Sequence, residues 1–216
     1  MLKLNIEKKE FPGKIIFEQT EIVIQKGAFV GIKGASGSGK STLLKMIGLL
    51  EPFEGTYSID EKVLVKKERE NVRRNHFAYL FQEPELIPYL NVEDNIRMPL
   101  KNLKIRPDRQ KTDELMKLMN IFDLKDRYPE KLSGGEAQRV ALCRAVMSDR
   151  EYILCDEPTG SLDPENAHIV MEYLKKINQS LHKTIIMVTH NLEYDVYFSE
   201  LFGLKERKIG QYEKDS

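Results

Sequence analysis

The sequence predicts an α/β fold with a parallel core sheet, an antiparallel strand layer near the start, and a helical insertion. Three observations predict it. Four dense apolar runs, Ala28–Lys33, Phe77–Phe81, Tyr152–Cys155 and Thr184–Thr189, read as strands covered on both faces. Shorter runs, Leu2–Glu7, Lys14–Glu18, Glu21–Ile24 and Thr56–Asp60, read as strands broken by Pro12-Gly13 and Gly55. Between Glu83 and Arg150 the pattern becomes mainly helical.

The helices follow from caps and periodicity. Thr42–Leu50 is a helical segment behind the first dense strand. Asn91 caps Val92–Leu100, and Pro107 suits the first turn of a helix reaching about Asn120. A fourth helix begins near Gly134 and a fifth at Pro164. In the last, Ala167, Val170, Met171, Leu174 and Ile177 form one apolar stripe, which core packing explains. No internal repeat, low-complexity tract or long linker interrupts the chain.

Composition narrows the function classes. The 216 residues carry 34 basic and 34 acidic side chains, so a broad electrostatic footprint for nucleic acid is not expected. The mixed tract Lys205-Glu206-Arg207-Lys208 reads as solvated surface. Cys143 and Cys155 lack metal-ligand spacing and sit in apolar surroundings, as buried reduced thiols in a cytosolic setting would. The first residues lack the apolar core of a secretion signal, and no stretch approaches the ~20 apolar residues that span a bilayer.

One stretch carries a specific chemistry. Gly34-Ala35-Ser36-Gly37-Ser38-Gly39-Lys40-Ser41 fits the pattern G-x-x-x-x-G-K-[ST], with a strand before it and a helix, opening at Thr42, behind it. Glycines let the backbone curl until successive N–H groups face phosphate oxygens, and the helix start favours an anion. Lys40 is expected to reach the β- and γ-phosphates of a nucleoside triphosphate, and the Ser41 hydroxyl to ligate Mg²⁺.

Two carboxylates end another dense strand. Asp156 suits Mg²⁺ binding, directly or through water, and Glu157 suits orienting and deprotonating an attacking water. Gln82 follows a third core strand, where its amide can sense the metal or the water. His190 ends a fourth, and ligands of open α/β sheets gather at the carboxyl ends of strands. A hydrogen bond from His190 to the γ-phosphate is expected. His76, His168 and His182 lack such a setting.

Ser133-Gly134-Gly135-Glu136 is a capping box, but a cap does not need two adjacent glycines, each weakening a helix by roughly 1 kcal/mol. Close approach by a phosphate accounts for them. Since Lys40 already opens a helix toward this chain's own nucleotide, the second helix start is expected to serve the nucleotide of a second copy. Asp163, before Pro164, caps its helix and is also a candidate for contact across that boundary.

These residues resemble those of the ATP-binding-cassette (ABC) ATPases, over essentially the entire chain. Gly34–Ser41 resembles their Walker A element and Tyr152–Glu157 their Walker B. Gln82 matches the Q-loop, Leu132–Glu136 the signature sequence, Ser161–Asp163 the D-loop and His190 the switch histidine. Phe11 stands near the place of the aromatic residue that stacks on adenine. The resemblance implies the P-loop NTPase fold in one domain, 1–216, with a core of about 1–82 and 151–216 and a helical subdomain of about 83–150.

More narrowly, Leu154–Asp163 and Leu80–Pro88 resemble the lipoprotein-release, macrolide-export and peptide-antibiotic-export subgroup. That subgroup implies two ATPase subunits, here a homodimer on ATP binding, joined to transmembrane permease subunits at the cytoplasmic face of the membrane. Glu136 replaces the glutamine frequent at the end of the signature, and Asn191 stands where aspartate commonly follows the histidine. Neither change removes a proposed ligand. Leu86, Ile87, Tyr89 and Leu90 are placed to dock a membrane subunit or simply to pack the helical lobe. An exporter is the expectation. An ATPase that signals to an envelope or cell-division complex stays open, as do a weaker DNA-repair reading and a docking module that scarcely hydrolyses ATP.

Overall fold

The computed structural model describes residues 1–102 and 108–212. The expected helix start at Pro107 lies outside the described residues. The chain opens with β1 (Leu2–Phe11) and β2 (Lys14–Ile24), followed by β3 (Phe29–Lys33), α1 (Lys40–Ile47), β4 (Glu54–Ile59) and β5 (Lys62–Val63). Then come α2 (Lys66–His76), β6 (Phe77–Leu80), α3 (Val92–Asn102), α4 (Arg109–Leu118) and α5 (Gly134–Met147). The remainder is β7 (Tyr152–Asp156), α6 (Pro164–Leu181), β8 (Thr184–Val188), β9 (Glu200–Lys205) and β10 (Lys208–Gln211).

The strands form two sheets. One is antiparallel, in the order β2-β1-β4-β5; the other runs β10-β9-β3-β8-β7-β6, parallel from β9 to β6 with β10 antiparallel at its edge. The dense apolar runs become the interior of the second sheet because both of its faces are covered. Phe29, Ile153, Cys155, Ile185 and Met187 face a core shared with α3, α4, α5 and α6. Val30, Ile32, Leu154, Ile186 and Val188 face a second core closed by α1 and the antiparallel sheet. Alternation along a strand thus feeds two cores at once.

Several boundaries differ from the sequence expectation. Lys14–Glu18 and Glu21–Ile24 are one strand, since pairing with β1 continues through the polar Gln19-Thr20 step. Gly55 sits inside β4 rather than breaking it: a Cβ there would stand 2.1 Å from the Asn5 carbonyl oxygen on β1. The helix behind the glycine loop starts at Lys40, two residues early, and stops at Ile47. Asn91 caps α3 as expected, its Oδ1 accepting from the Asp94 amide at 2.8 Å. The five stripe residues of α6 and both cysteines are buried, and burial pushes both thiols well above their usual pKa. Helix α2 escaped the pattern reading because none of its residues is buried.

Candidate functional site

Strands β3, β8, β7 and β6 lie side by side and parallel, so their carboxyl ends open along one edge. Each delivers a candidate group there: the 34–41 loop after β3, His190 after β8, Asp156 and Glu157 at the end of β7, Gln82 after β6. Residues from four distant parts of the sequence therefore meet in the crevice where α/β sheets bind ligands.

The loop between β3 and α1 is a tight arch. Gly37 and Gly39 take φ values of 73° and 103°, and the Ser38 amide donates to the Ala35 carbonyl at 3.1 Å. No side chain caps α1, so its first-turn amides remain available to an anion. Lys40 is buried and folds back over the arch, donating to the Gly34 and Ala35 carbonyls at 2.8 and 3.0 Å. The Lys14 ammonium reaches the Gly37 carbonyl at 3.5 Å, tying the β1–β2 turn to the loop. Phe11 pairs with Lys14 across that turn and exposes 41% of its surface, with the Lys9 ammonium 4.5 Å above its ring.

Ser41 Oγ donates to Asp156 Oδ1 at 2.9 Å across 115 residues of sequence. Glu157 leaves the strand with a left-handed φ of 47°, and its amide donates to the Val188 carbonyl at 3.1 Å. A non-glycine residue held in that region stores backbone strain of the kind that gathers at functional sites. The turn aims the carboxylate at His190, whose Nδ1 lies 3.2 Å from Glu157 Oε2. A cleft of about 360 Å³ opens beside this pair, between α6 and the 3₁₀ turn Leu192–Tyr197. Gln82 is exposed and packs its amide against Gly160, and Ser161 Oγ donates to the Gln82 carbonyl at 3.3 Å.

The second helix start is built as a reciprocal cap. Ser133 Oγ accepts from the Glu136 amide at 3.3 Å, and Glu136 Oε2 accepts from the Ser133 amide at 2.7 Å. The hydrogen bonds from Ser133 hold the Glu136 carboxyl below its ordinary pKa. Among the described residues, no hydrogen bond joins residues 133–136 to the 34–41 loop of the same chain. Gly134 is exposed; Gly135 is buried, and a Cβ on it would stand 2.3 Å from Asn166 Oδ1. Position 135 therefore has a reason to be glycine inside this chain as well. Asp163 caps α6, accepting from the Asn166 amide at 3.0 Å, which lowers its own pKa.

Some contacts near the site escaped the sequence reading. Lys33, directly before the loop, is buried and paired with Asp195. A cation ending an apolar run was the available signal. Arg144 and Gln138 on α5 hold backbone carbonyls around Gln82, which no local pattern announces. His182 ends α6 with a left-handed φ of 50° and His76 lies 3.7 Å from Glu151, whereas His168, bonded to Tyr197, lines the cleft beside Glu157 and His190.

Asp156 and the Ser41 hydroxyl offer hard oxygen donors on one side of the arch. Mg²⁺ is commonly held by one or two carboxylates with substrate phosphates and water completing an octahedron, so this donor set fits it.

Comparison with known proteins places the chain among relatives of one family. Residues 17–160 match the family model described as ABC transporter. The methionine import ATP-binding protein MetN of Legionella pneumophila (strain Paris) is 39% identical over 198 residues, covering 89% of this chain and 58% of its own length. The bacitracin export ATP-binding protein BceA of Halalkalibacterium halodurans is 36% identical, covering 90% of this chain and 79% of its own. The lipoprotein-releasing system ATP-binding protein LolD of Leptospira interrogans is 38% identical, covering 87% and 81%. The chain thus spans well under two thirds of the methionine-import relative. Among solved structures, a dimeric post-hydrolysis state of the ATP-binding cassette MJ0796 bound to ADP and Pi superposes with a TM-score of 0.83. It is 34% identical and covers 99% of this chain and 98% of its own.

Proposed function

This chain belongs to the ABC transporter family, and on that basis we propose that it binds and hydrolyses ATP to drive a membrane transporter. The observation that carries this reading is the 2.9 Å contact between Ser41 and Asp156, made across the mouth of the phosphate-binding arch. It sets a hydroxyl and a carboxylate where a Mg²⁺–triphosphate needs oxygen donors, while the arch turns backbone amides to the phosphates.

In this reading the roles divide as follows. Gly34–Ser41 and Thr42 bind the phosphates, with Lys40 exchanging its loop carbonyls for phosphate oxygens, and Phe11 offers its exposed ring to the adenine. Ser41 and Asp156, with the Gln82 amide, would hold Mg²⁺, which would neutralise charge on the phosphates. Glu157 takes a proton from the attacking water. His190, its Nδ1 toward Glu157, turns its other ring nitrogen to the γ-phosphate. Ser133, Gly134, Gly135, Glu136 and Asp163 serve the nucleotide of a second copy, so the working unit is a homodimer closed by ATP. The similar MJ0796 cassette, dimeric in its ADP- and Pi-bound state, supports that arrangement.

Among the described residues no helix is long and apolar enough to cross a membrane. Transmembrane permease subunits supply the passage in this reading, and the chain sits on them at the cytoplasmic face. Export is the direction we favour, because Leu80–Pro88 and Leu154–Asp163 resemble the export subgroup and bacitracin-export and lipoprotein-releasing proteins are among the relatives. Phosphate release by the purified chain, with Mg²⁺ and with EDTA, tests the ATPase. Mg²⁺-dependent release lost in Lys40→Ala supports it, and release unchanged by either treatment refutes it. Purification of the membrane partner and ATP-driven flux in vesicles tests the transport role and its direction.

A further inference from the structure

Four backbone carbonyls around Gln82 are each held by a side chain from elsewhere. Gln138 Nε2 donates to the Phe81 carbonyl at 2.9 Å, and Ser161 Oγ to that of Gln82 at 3.3 Å. The Arg144 guanidinium takes the next two, donating to Pro84 and Glu85 at 2.8 Å each. Glu85 keeps a left-handed φ of 45° under that grip.

Gln138 and Arg144 share α5, the helix whose first turn is the Ser133–Glu136 cap. The same rigid element thus carries the second copy's phosphate contacts at one end and grips the Gln82 segment along its length. Arg144 is costly for a purely structural tie. It is half-buried: desolvation lowers its pKa, and the charge of the Glu85 carboxylate offsets that only in part. A half-buried guanidinium bonded to carbonyls gains little stability, since an apolar side chain of similar length avoids its desolvation penalty. Its planar fork does what an apolar chain does not, fixing two successive carbonyls at once.

We propose that Arg144 is a positioning residue for hydrolysis: it locks the 81–85 backbone to α5, setting where Gln82 stands relative to the glycine-capped helix start. This rests on the ATPase reading above. Arg144 touches neither nucleotide nor metal in this assignment and acts through the segment it holds. The inference also ties the two halves of the composite site, since a shift of α5 moves Gln82 by a fixed connection.

The test is Arg144→Met in the full chain, which keeps the apolar stem and removes the half-buried charge. Two readouts are needed: hydrogen exchange of the 82–90 amides without nucleotide, and steady-state kinetics with Mg-ATP. Loss of two charge-assisted hydrogen bonds predicts exchange about tenfold faster or more in that segment. With it comes a kcat several-fold lower at a KM within about twofold, and a melting temperature unchanged or raised. Arg144→Lys, which keeps the charge and loses the fork, is expected between the two. Unchanged exchange in 82–90, or faster exchange with kcat intact, overturns the proposal. A melting temperature that falls in step with kcat and is regained in Arg144→Lys assigns the residue to stability alone and also overturns it. The wild-type rate tests the ATPase reading separately, because the exchange arm needs no hydrolysis.

Discussion

Asn166 occupies the space that any side chain at position 135 would need, with its Oδ1 2.3 Å from where a Cβ on Gly135 would stand. The same Oδ1 accepts from Arg139 Nη1 at 3.3 Å, and the Asn166 amide groups are held by Asp163. The two helix starts, α5 and α6, are therefore interlocked through one asparagine. The adjacent glycines of the cap separate into different jobs. Gly135 makes room inside the chain, whereas a Cβ on Gly134 meets only Leu162 Cδ2, at an ordinary 3.6 Å.

That division predicts opposite outcomes for two similar substitutions. Gly135→Ala forces Asn166 aside and is expected to cost about 1–3 kcal/mol. At this chain length each kcal/mol lowers the melting temperature by about 2–4 °C. Gly134→Ala should fold as well as wild type or up to about 1 kcal/mol better, yet lose most ATP turnover. Thermal melts alongside a phosphate-release assay read both, and full activity in Gly134→Ala removes phosphate approach as the reason for that glycine.

Lys33, only 3% exposed, pairs with the half-buried Asp195 beside the 34–41 arch. Replacing Lys33 alone by Met removes a charge-assisted hydrogen bond from the half-buried Asp195 and is expected to cost about 1–3 kcal/mol. The double variant Lys33→Met, Asp195→Leu should recover most of that loss. Denaturant midpoints for the two variants decide it; a single variant as stable as wild type places the pair outside the stability of this fold.

The Glu136 carboxyl is held below its ordinary pKa by hydrogen bonds from Ser133. A depressed native pKa contributes stability that is present above the unfolded pKa, near 4.3 for glutamate, and disappears as pH falls through the native value. Glu136→Gln keeps the capping geometry without the titration, so its stability curve below about pH 4.5 should be flatter than that of wild type. Denaturant midpoints from pH 3 to 7 test this, and parallel curves contradict it.

The strand ends that build the crevice were legible because their chemistry is local: a glycine loop, two acids after an apolar run, a histidine after another. Sheet order was not, since nothing in Thr184–Thr189 says that it inserts between β3 and β7. Contacts of long sequence separation were equally silent. Gln138 lies 57 residues from Phe81 and Arg144 lies 60 from Pro84, so only tertiary packing brings them together. Strands β9 and β10 went unread because the charged turn Lys205–Lys208 masked a hairpin, whose Glu206 and Arg207 take φ values of 50° and 66°.

Loss of the Glu157 carboxylate should separate nucleotide closure from chemistry. Removing a general base typically slows turnover by about 10²–10⁴, and Glu157→Gln should do so with ATP affinity retained. The decisive measurement is the solution mass of that variant, by light scattering, with saturating Mg-ATP. A shared site requires twice the mass of the 216-residue chain with two nucleotides trapped, falling back to one chain when Gly134→Ala is added. A single-chain mass with ATP fully bound would contradict it.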